Sequence, residues 1–186
     1  MMLPSPVNIF VLCTGRCGST TFIRAMEHCT NYTAGHETRT HMLGESRLAY
    51  PPRHIEADNR LSWLLGRLDR HFGKAALYVH LLRDPAKVAS SFARRADRGI
   101  MLAYRTEMLM HAPKYASNAS MADFAHDYIE TVTANVLHFL RDKPSQMTFH
   151  LEDAERQLSD FWSMIGAQGN LEAARAEFHI QHNASK

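Results

Sequence analysis

The chain has 186 residues, the size of one domain, and its 45% hydrophobic and 22% charged residues are globular averages, which excludes disordered and fibrous classes. A formal net charge of +2 gives no global reason to coat nucleic acid or an anionic membrane, so any anion site must be local. Sixteen of the 21 basic residues are arginine, whose planar fork suits bidentate contact with phosphate or sulfate. Three cysteines, Cys13, Cys17 and Cys29, do not make an even disulfide framework. The first residues carry no basic start, and no apolar run reaches the roughly 18 residues of a membrane span. The expectation is a cytoplasmic protein without a membrane or nucleic-acid partner, built as a single domain over residues 1–186.

In chain order, residues 7–13 form a nearly continuous apolar run of strand length. The run breaks at Thr14-Gly15-Arg16-Cys17-Gly18, and Ser19-Thr20-Thr21 opens a helical stretch to about residue 28. A second short strand is expected at 32–34, closed by Gly35. Residues 40–58 read as irregular, with Pro51-Pro52 forbidding a helix. Leu61, Leu64, Leu65, Leu68 and Phe72 keep a helical period that Gly73 would cap. Residues 76–82 are another buried strand, and Asp84-Pro85 supplies an N-cap and a first-turn proline for a helix. A long helix over 121–140, a strand over 147–151 and helical periods near 158–165 and 171–178 complete the chain. Alternating strands and helices predict a three-layer α/β domain around a mainly parallel sheet.

The first strand leads through a glycine-containing loop into a hydroxyl-rich helix start, the layout that turns backbone N–H groups and a positive helix end toward an anion. Gly15 and Gly18 permit close approach, Ser19 and Thr20 add hydroxyls, and Arg16 adds charge. A nucleotide-kinase loop requires Gly-x-x-x-x-Gly-Lys followed by Ser or Thr. Gly18 is followed directly by Ser19, so that reading fails on its lysine. A second anion site is expected after the strand at 76–82. Arg83 stands at its carboxyl end, where open α/β sheets bind ligands, and Ser91 and Arg95 share a helix face four residues apart.

Residues 14–21 resemble the P-loop-type 5′-phosphosulfate loop of sulfotransferases, which use 3′-phosphoadenosine 5′-phosphosulfate (PAPS) as donor and release 3′,5′-ADP (PAP). Cys17 stands where that family usually has serine. Arg83, with Ser91 eight positions later, resembles the family's 3′-phosphate signature, and Arg95 extends it in the manner of tyrosylprotein sulfotransferases. Gly35-His36-Glu37-Thr38-Arg39 is similar to a segment of those enzymes that carries the catalytic base. The resemblance implies donor contacts from Arg16, Cys17, Gly18, Ser19, Thr20, Arg83, Ser91 and Arg95. It implies Glu37 as base, with Arg39 and His36 on the acceptor side. His36 stays a second candidate base, because many cytosolic sulfotransferases use histidine. Asp58-Asn59-Arg60 is similar to a family element whose lysine bridges to the sulfonate, which makes Arg60 a catalytic candidate with arginine in place of lysine.

The implied activity is sulfuryl transfer to a small-molecule, carbohydrate or peptide hydroxyl, with no metal required. Twelve histidines are scattered singly, without the close helical pair of a zinc protease. Two alternatives remain at this point: a kinase-like P-loop enzyme, and a nucleotide-binding or interaction module without catalysis. Phe124 and Tyr128 are candidates for adenine stacking or for core, and Phe149 to Asp153 is similar to a family strand end. The methionine-rich residues 98–120 are the candidate acceptor wall or partner surface.

Overall fold

Five short strands form one parallel sheet in the order β2-β3-β1-β4-β5: β1 Asn8–Leu12, β2 Thr33–His36, β3 His54–Ala57, β4 Leu77–Leu82 and β5 Gln146–His150. The structure is a computed structural model and describes residues 8–111 and 118–180. The helices are α1 Ser19–Met26, α2 Leu65–Phe72, α3 Pro85–Ala93, α4 Gly99–Ala103, α5 Met121–Leu140, α6 Ala154–Met164 and α7 Leu171–Ala176.

The central strands β1 and β4 are buried almost throughout because helices cover both faces of the sheet, as a parallel sheet requires. On one face Phe10 of β1 and Tyr78 of β4 lie opposite each other in register and meet Phe72 of α2 and Phe139 of α5. On the other face Phe149 of β5 packs edge-on against Phe22 of α1, which also meets Phe161 of α6. Three layers result, as expected. The chain runs from β1 outward to β2, returns to β3 beside β1, then crosses to β4 on the other side. That reversal opens a crevice at the carboxyl ends of the central strands, where α/β sheets bind ligands.

Most predicted elements appear where the periodicity puts them. The long helix spans Met121–Leu140 and opens on a reciprocal cap between Ser120 and Asp123. Asp84 caps α3 by accepting from the Lys87 N–H, with Pro85 in the first turn. Gly73 ends α2 at a φ of 49°. The first strand begins at Asn8; Val7 lies outside the described residues.

Three expectations are corrected. Gly35 does not close the second strand but lies within it, paired with Glu56; a Cβ there would come within 2.4 Å of the Thr38 methyl, so the close approach itself requires glycine. The stretch 40–58 is not all irregular. It contains β3, which lies between β2 and β1, and a short 3₁₀ turn at Gly44–Arg47. Its His-Ile-Glu-Ala sequence lacks an apolar run because two of its four buried positions are polar and satisfied internally. The helical period from Leu61 is a 3₁₀ turn over Asn59–Trp63 that leads into α2 only at Leu65.

Candidate active site

All five strands deliver residues from their carboxyl ends to one cleft of about 620 Å³. Gly15, Arg16 and residues 18–21 come from the loop after β1 and the start of α1, His36 and Glu37 from the end of β2, Asn59 and Arg60 from beyond β3, Arg83 from beyond β4, and Leu151 from beyond β5. Helix α3 and the turn after it add Lys87, Ser91, Arg94, Arg95 and Arg98.

The first loop is shaped by three departures from ordinary backbone within four residues. Gly15, Arg16 and Gly18 have φ of 87°, 61° and 85°, the left-handed region. Gly18 is the N-cap of α1, so the helix begins with its N–H groups aimed at the cleft rather than at a capping side chain. A Cβ on Gly18 would sit 2.7 Å from the Leu151 side chain, which closes one edge of the cleft. From below, the buried Tyr128 hydroxyl donates to the Thr14 carbonyl at 2.9 Å, and the Asn59 amide donates to the same oxygen at 3.4 Å.

The two anion motifs, 75 residues apart, are joined directly. Arg16 Nε donates to Ser91 Oγ at 2.9 Å, and Arg83 Nη1 donates to the Arg16 carbonyl at 3.2 Å. Ser91 is buried, while the arginine ends reach into the cleft. Burial and then the guanidinium groups of Arg95, Arg83 and Arg94 lower the pKa of Arg16. Arg16, Arg60, Arg83, Lys87, Arg94, Arg95 and Arg98 line the space, against the single carboxylate of Glu37. That is a local field suited to an anion of several charges on a chain of nearly zero net charge.

On the opposite wall, Glu37 also holds a left-handed φ, 55°, and its carboxylate pairs with Arg60 at 3.2 Å with both side chains about a third exposed. His36 Nε2 lies 2.9 Å from Ser19 Oγ and 3.5 Å from Thr20 Oγ1, so the imidazole is engaged with the hydroxyls of the first loop. Glu37 and His36 are both half-buried, and each has a partner within the cleft.

Arg16, Gly18, Ser19, Thr20, His36, Glu37, Arg60, Arg83, Ser91 and Arg95 thus line one cleft. Cys17 and Arg39 do not. The Cys17 thiol is buried beneath the loop, donating to the Gly15 carbonyl at 3.3 Å and lying 3.1 Å from the Thr14 hydroxyl, so only its backbone is left to meet a ligand. Its bonds with Cys13 and Thr14 lower its pKa, while burial opposes them. Arg39 turns away, donating to the Ser46 carbonyl at 3.0 Å, with its guanidinium 5.7 Å from the centre of the Tyr50 ring.

Phe124 and Tyr128 are core: Tyr128 packs against Phe92, Tyr104 and Trp63. Of the stretch 98–120, residues 98–101 line the cleft, Tyr104 is buried, Met108 to Met110 are exposed, and residues 112–117 lie outside the described residues. Sequence reasoning missed Lys87, although the four-residue spacing that selects Arg95 from Ser91 also selects Lys87. It also missed Phe178, His179 and Ile180, which reach the cleft from the turn after α7 and carry no local signal. Among the described residues, no group of three His, Cys, Asp or Glu side chains is placed to hold a metal ion, and no helix is long and apolar enough to cross a membrane.

Among known protein-family profiles and curated protein sequences, none matches this chain. Solved structures do. The sulfotransferase domain from the curacin biosynthetic pathway aligns over 93% of this chain and 77% of its own length, with a TM-score of 0.63 and 16% identity. Mouse sulfotransferase SULT7A1, solved in complex with PAP, aligns over 92% of this chain and 64% of its own length, with a TM-score of 0.60 and 12% identity. The chain therefore has the α/β fold found in these sulfotransferases.

Proposed function

We propose that this chain is a PAPS-dependent sulfotransferase that moves a sulfuryl group to an acceptor hydroxyl. One observation carries the reading: the Arg16–Ser91 hydrogen bond makes one continuous anion site from two motifs that lie in different βα units. A generic nucleotide binder needs the first motif alone; a ligand phosphorylated at both the 5′ and 3′ positions uses both.

The residues fit such a ligand. Burial and then crowding by neighbouring guanidinium groups depress the pKa of Arg16, and the crowding is relieved when phosphate or sulfate charge enters. Arg16, Ser19, Thr20 and the first N–H groups of α1 would hold the 5′-phosphosulfate, and Arg83, Ser91 and Arg95 the 3′-phosphate. PAPS, when bound, supplies an activated sulfuryl group that carries a single negative charge. Glu37 is the base that accepts the proton of the acceptor hydroxyl, while Arg60 orients its carboxylate. Arg16 places fixed positive charge beside the 5′-phosphate, where preorganised charge favours departure of that group. His36 fixes the first-loop hydroxyls. The acceptor is a small-molecule, carbohydrate or peptide hydroxyl that enters on the Glu37 side.

The test compares 3′,5′-ADP with ADP by calorimetry in one magnesium-free buffer. Each realised charge-assisted hydrogen bond is worth about 1.5–3 kcal/mol, so 3′,5′-ADP should bind at least about tenfold more tightly. Arg83→Ala should erase most of that preference while leaving ADP binding nearly unchanged. Equal affinities in the unmodified protein would overturn the reading.

A further inference from the structure

The third strand and the residue just past it carry two acidic side chains that the chemistry above does not use. Glu56 and Asp58 are both fully buried, two positions apart along β3 and just beyond it, and neither lines the cleft. A buried carboxylate is costly unless each oxygen is matched by donors, and here each is matched.

Glu56 accepts the Thr38 N–H at 2.7 Å on one oxygen, and on the other it meets the Thr38 hydroxyl at 2.7 Å and His54 Nε2 at 2.9 Å. Asp58 accepts the Arg60 N–H at 2.8 Å on one oxygen, and on the other the Thr40 hydroxyl at 2.9 Å and the buried Arg47 guanidinium. Three of these donors belong to Thr38 and Thr40, immediately after Glu37. A fourth belongs to Arg60, whose guanidinium is the partner of the Glu37 carboxylate.

From this arrangement we propose that Glu56 and Asp58 are positioning residues for the base: they clamp residues 37–40 and the Arg60 backbone, so that Glu37 and Arg60 face each other across the acceptor side of the cleft. The inference rests on the reading of Glu37 as the base of a sulfuryl transfer. Glu37 needs such a clamp. It is a non-glycine residue at φ 55°, a conformation held only when its surroundings over-determine it. Its own N–H is tied to the Ala57 carbonyl at 3.0 Å, and its carbonyl accepts the Thr40 hydroxyl at 3.1 Å. With the carboxylate bonds added, the segment is anchored at nearly every residue. Asp58 has a particular place in this scheme, because one oxygen holds the segment that bears the base and the other holds the residue that bears its counter-ion.

Removing a buried carboxylate leaves Arg47 or His54 unpaired and risks the fold, so the test uses the threonines that receive the clamp. Thr38→Val and Thr40→Val are nearly isosteric and delete the hydroxyl donors, that of Thr38 to Glu56 and that of Thr40 shared between Asp58 and the Glu37 carbonyl; Thr38→Ser and Thr40→Ser keep them. Loss of one charge-assisted bond to the segment should lower kcat by about tenfold. Backbone amide exchange over residues 37–40 should rise by a similar factor, and the 3′,5′-ADP dissociation constant should stay within about twofold. The serine variants should recover kcat to within about twofold. Unchanged amide exchange and kcat in both valine variants overturn the inference. So does faster exchange with unchanged kcat, because residues 37–40 would then be clamped without consequence for the base. A matching loss in 3′,5′-ADP affinity would mark a general structural role and overturn it as well. Failure of the functional reading looks different: the unmodified chain then transfers no sulfuryl group from PAPS to any acceptor in a broad hydroxyl library, whatever the valine variants do.

Discussion

The arginine wall of the cleft and the carboxylate wall opposite are organised by different physics. The arginine wall comes from two strand-to-helix turns, residues 14–21 and 83–95, in which glycine conformations, caps and helix spacing act over a few residues. The carboxylate wall depends on β2 and β3 lying side by side, so that residues 37–40 meet Glu56 and Asp58, some 18 positions away. One wall is therefore a local device docked onto a sheet. The other exists only once the sheet has formed, and it stores backbone strain at Glu37 against a pair of buried acids.

The sharpest way to separate the walls is to remove the Glu37 carboxylate and leave the arginines. Glu37→Gln should lower turnover by about 10²-fold or more, the scale of a lost general base, while calorimetry finds 3′,5′-ADP binding unchanged. Retained activity in Glu37→Gln, together with a dead His36→Ala, would move the base to His36 and reduce the carboxylate wall to scaffolding.

Next in size is a break in the arginine wall. Gly18→Ala forces a side chain into left-handed backbone, with its Cβ 2.7 Å from the Leu151 side chain. Thermal or chemical denaturation should register a loss of about 1–3 kcal/mol, and 3′,5′-ADP binding should weaken with it. A neutral result would mean that the first loop is more pliable than its three positive φ values imply.

Arg16→Lys makes a finer cut. Lysine keeps the charge but cannot reproduce the Nε–H donated to Ser91, so the link between the two motifs is lost while the field remains. Titration should show 3′,5′-ADP binding weakened by about tenfold and ADP binding much less affected, one hydrogen bond's worth. Equal losses for both nucleotides would mean that the motifs act independently.

The smallest effect concerns the sheet under both walls. His80 on β4 is buried beside Leu12 with its Nδ1 unpartnered, and burial, then His150, lower its pKa to about 4. The unfolded chain takes up the proton near pH 6.5 and the folded chain does not. Stability from this group is therefore full above pH 6.5 and is lost as pH falls toward 4. From pH 7 to pH 5.5 the loss from this group should be about 1 kcal/mol. Denaturation midpoints at the two pH values check it, and His80→Leu should flatten that part of the slope.

Legibility followed the same division. The buried strands β1 and β4, the glycines and hydroxyls of the first loop, the Asp84-Pro85 cap and the length of α5 were all readable, because each is written in neighbouring residues. So were Arg83, from its place at the end of a buried strand, and Ser91 and Arg95, from their four-residue spacing; all three line the cleft. β3 was not: its buried His-Ile-Glu-Ala alternates polar and apolar residues over only four positions and carries no apolar run, and its donors lie in another strand's loop. Arg39 and Cys17 were expected at the site on the strength of motif position, yet their side chains face away from it, because a motif specifies a residue's place along the backbone and not the direction in which packing turns its side chain.

The amino-acid sequence by itself determined the α/β alternation and the two strand-to-helix turns that carry the arginines, since period, cap and turn chemistry act through residues a few positions apart; Glu37 stood out only through the family resemblance. Tertiary structure decided three things: the insertion of β3 between β2 and β1, the Arg16–Ser91 bond that joins the two turns, and the burial of Glu56 and Asp58 against residues 38–40. Each depends on strand pairing between segments distant along the chain, and the free energy of such pairing comes from partners that no local window of sequence contains.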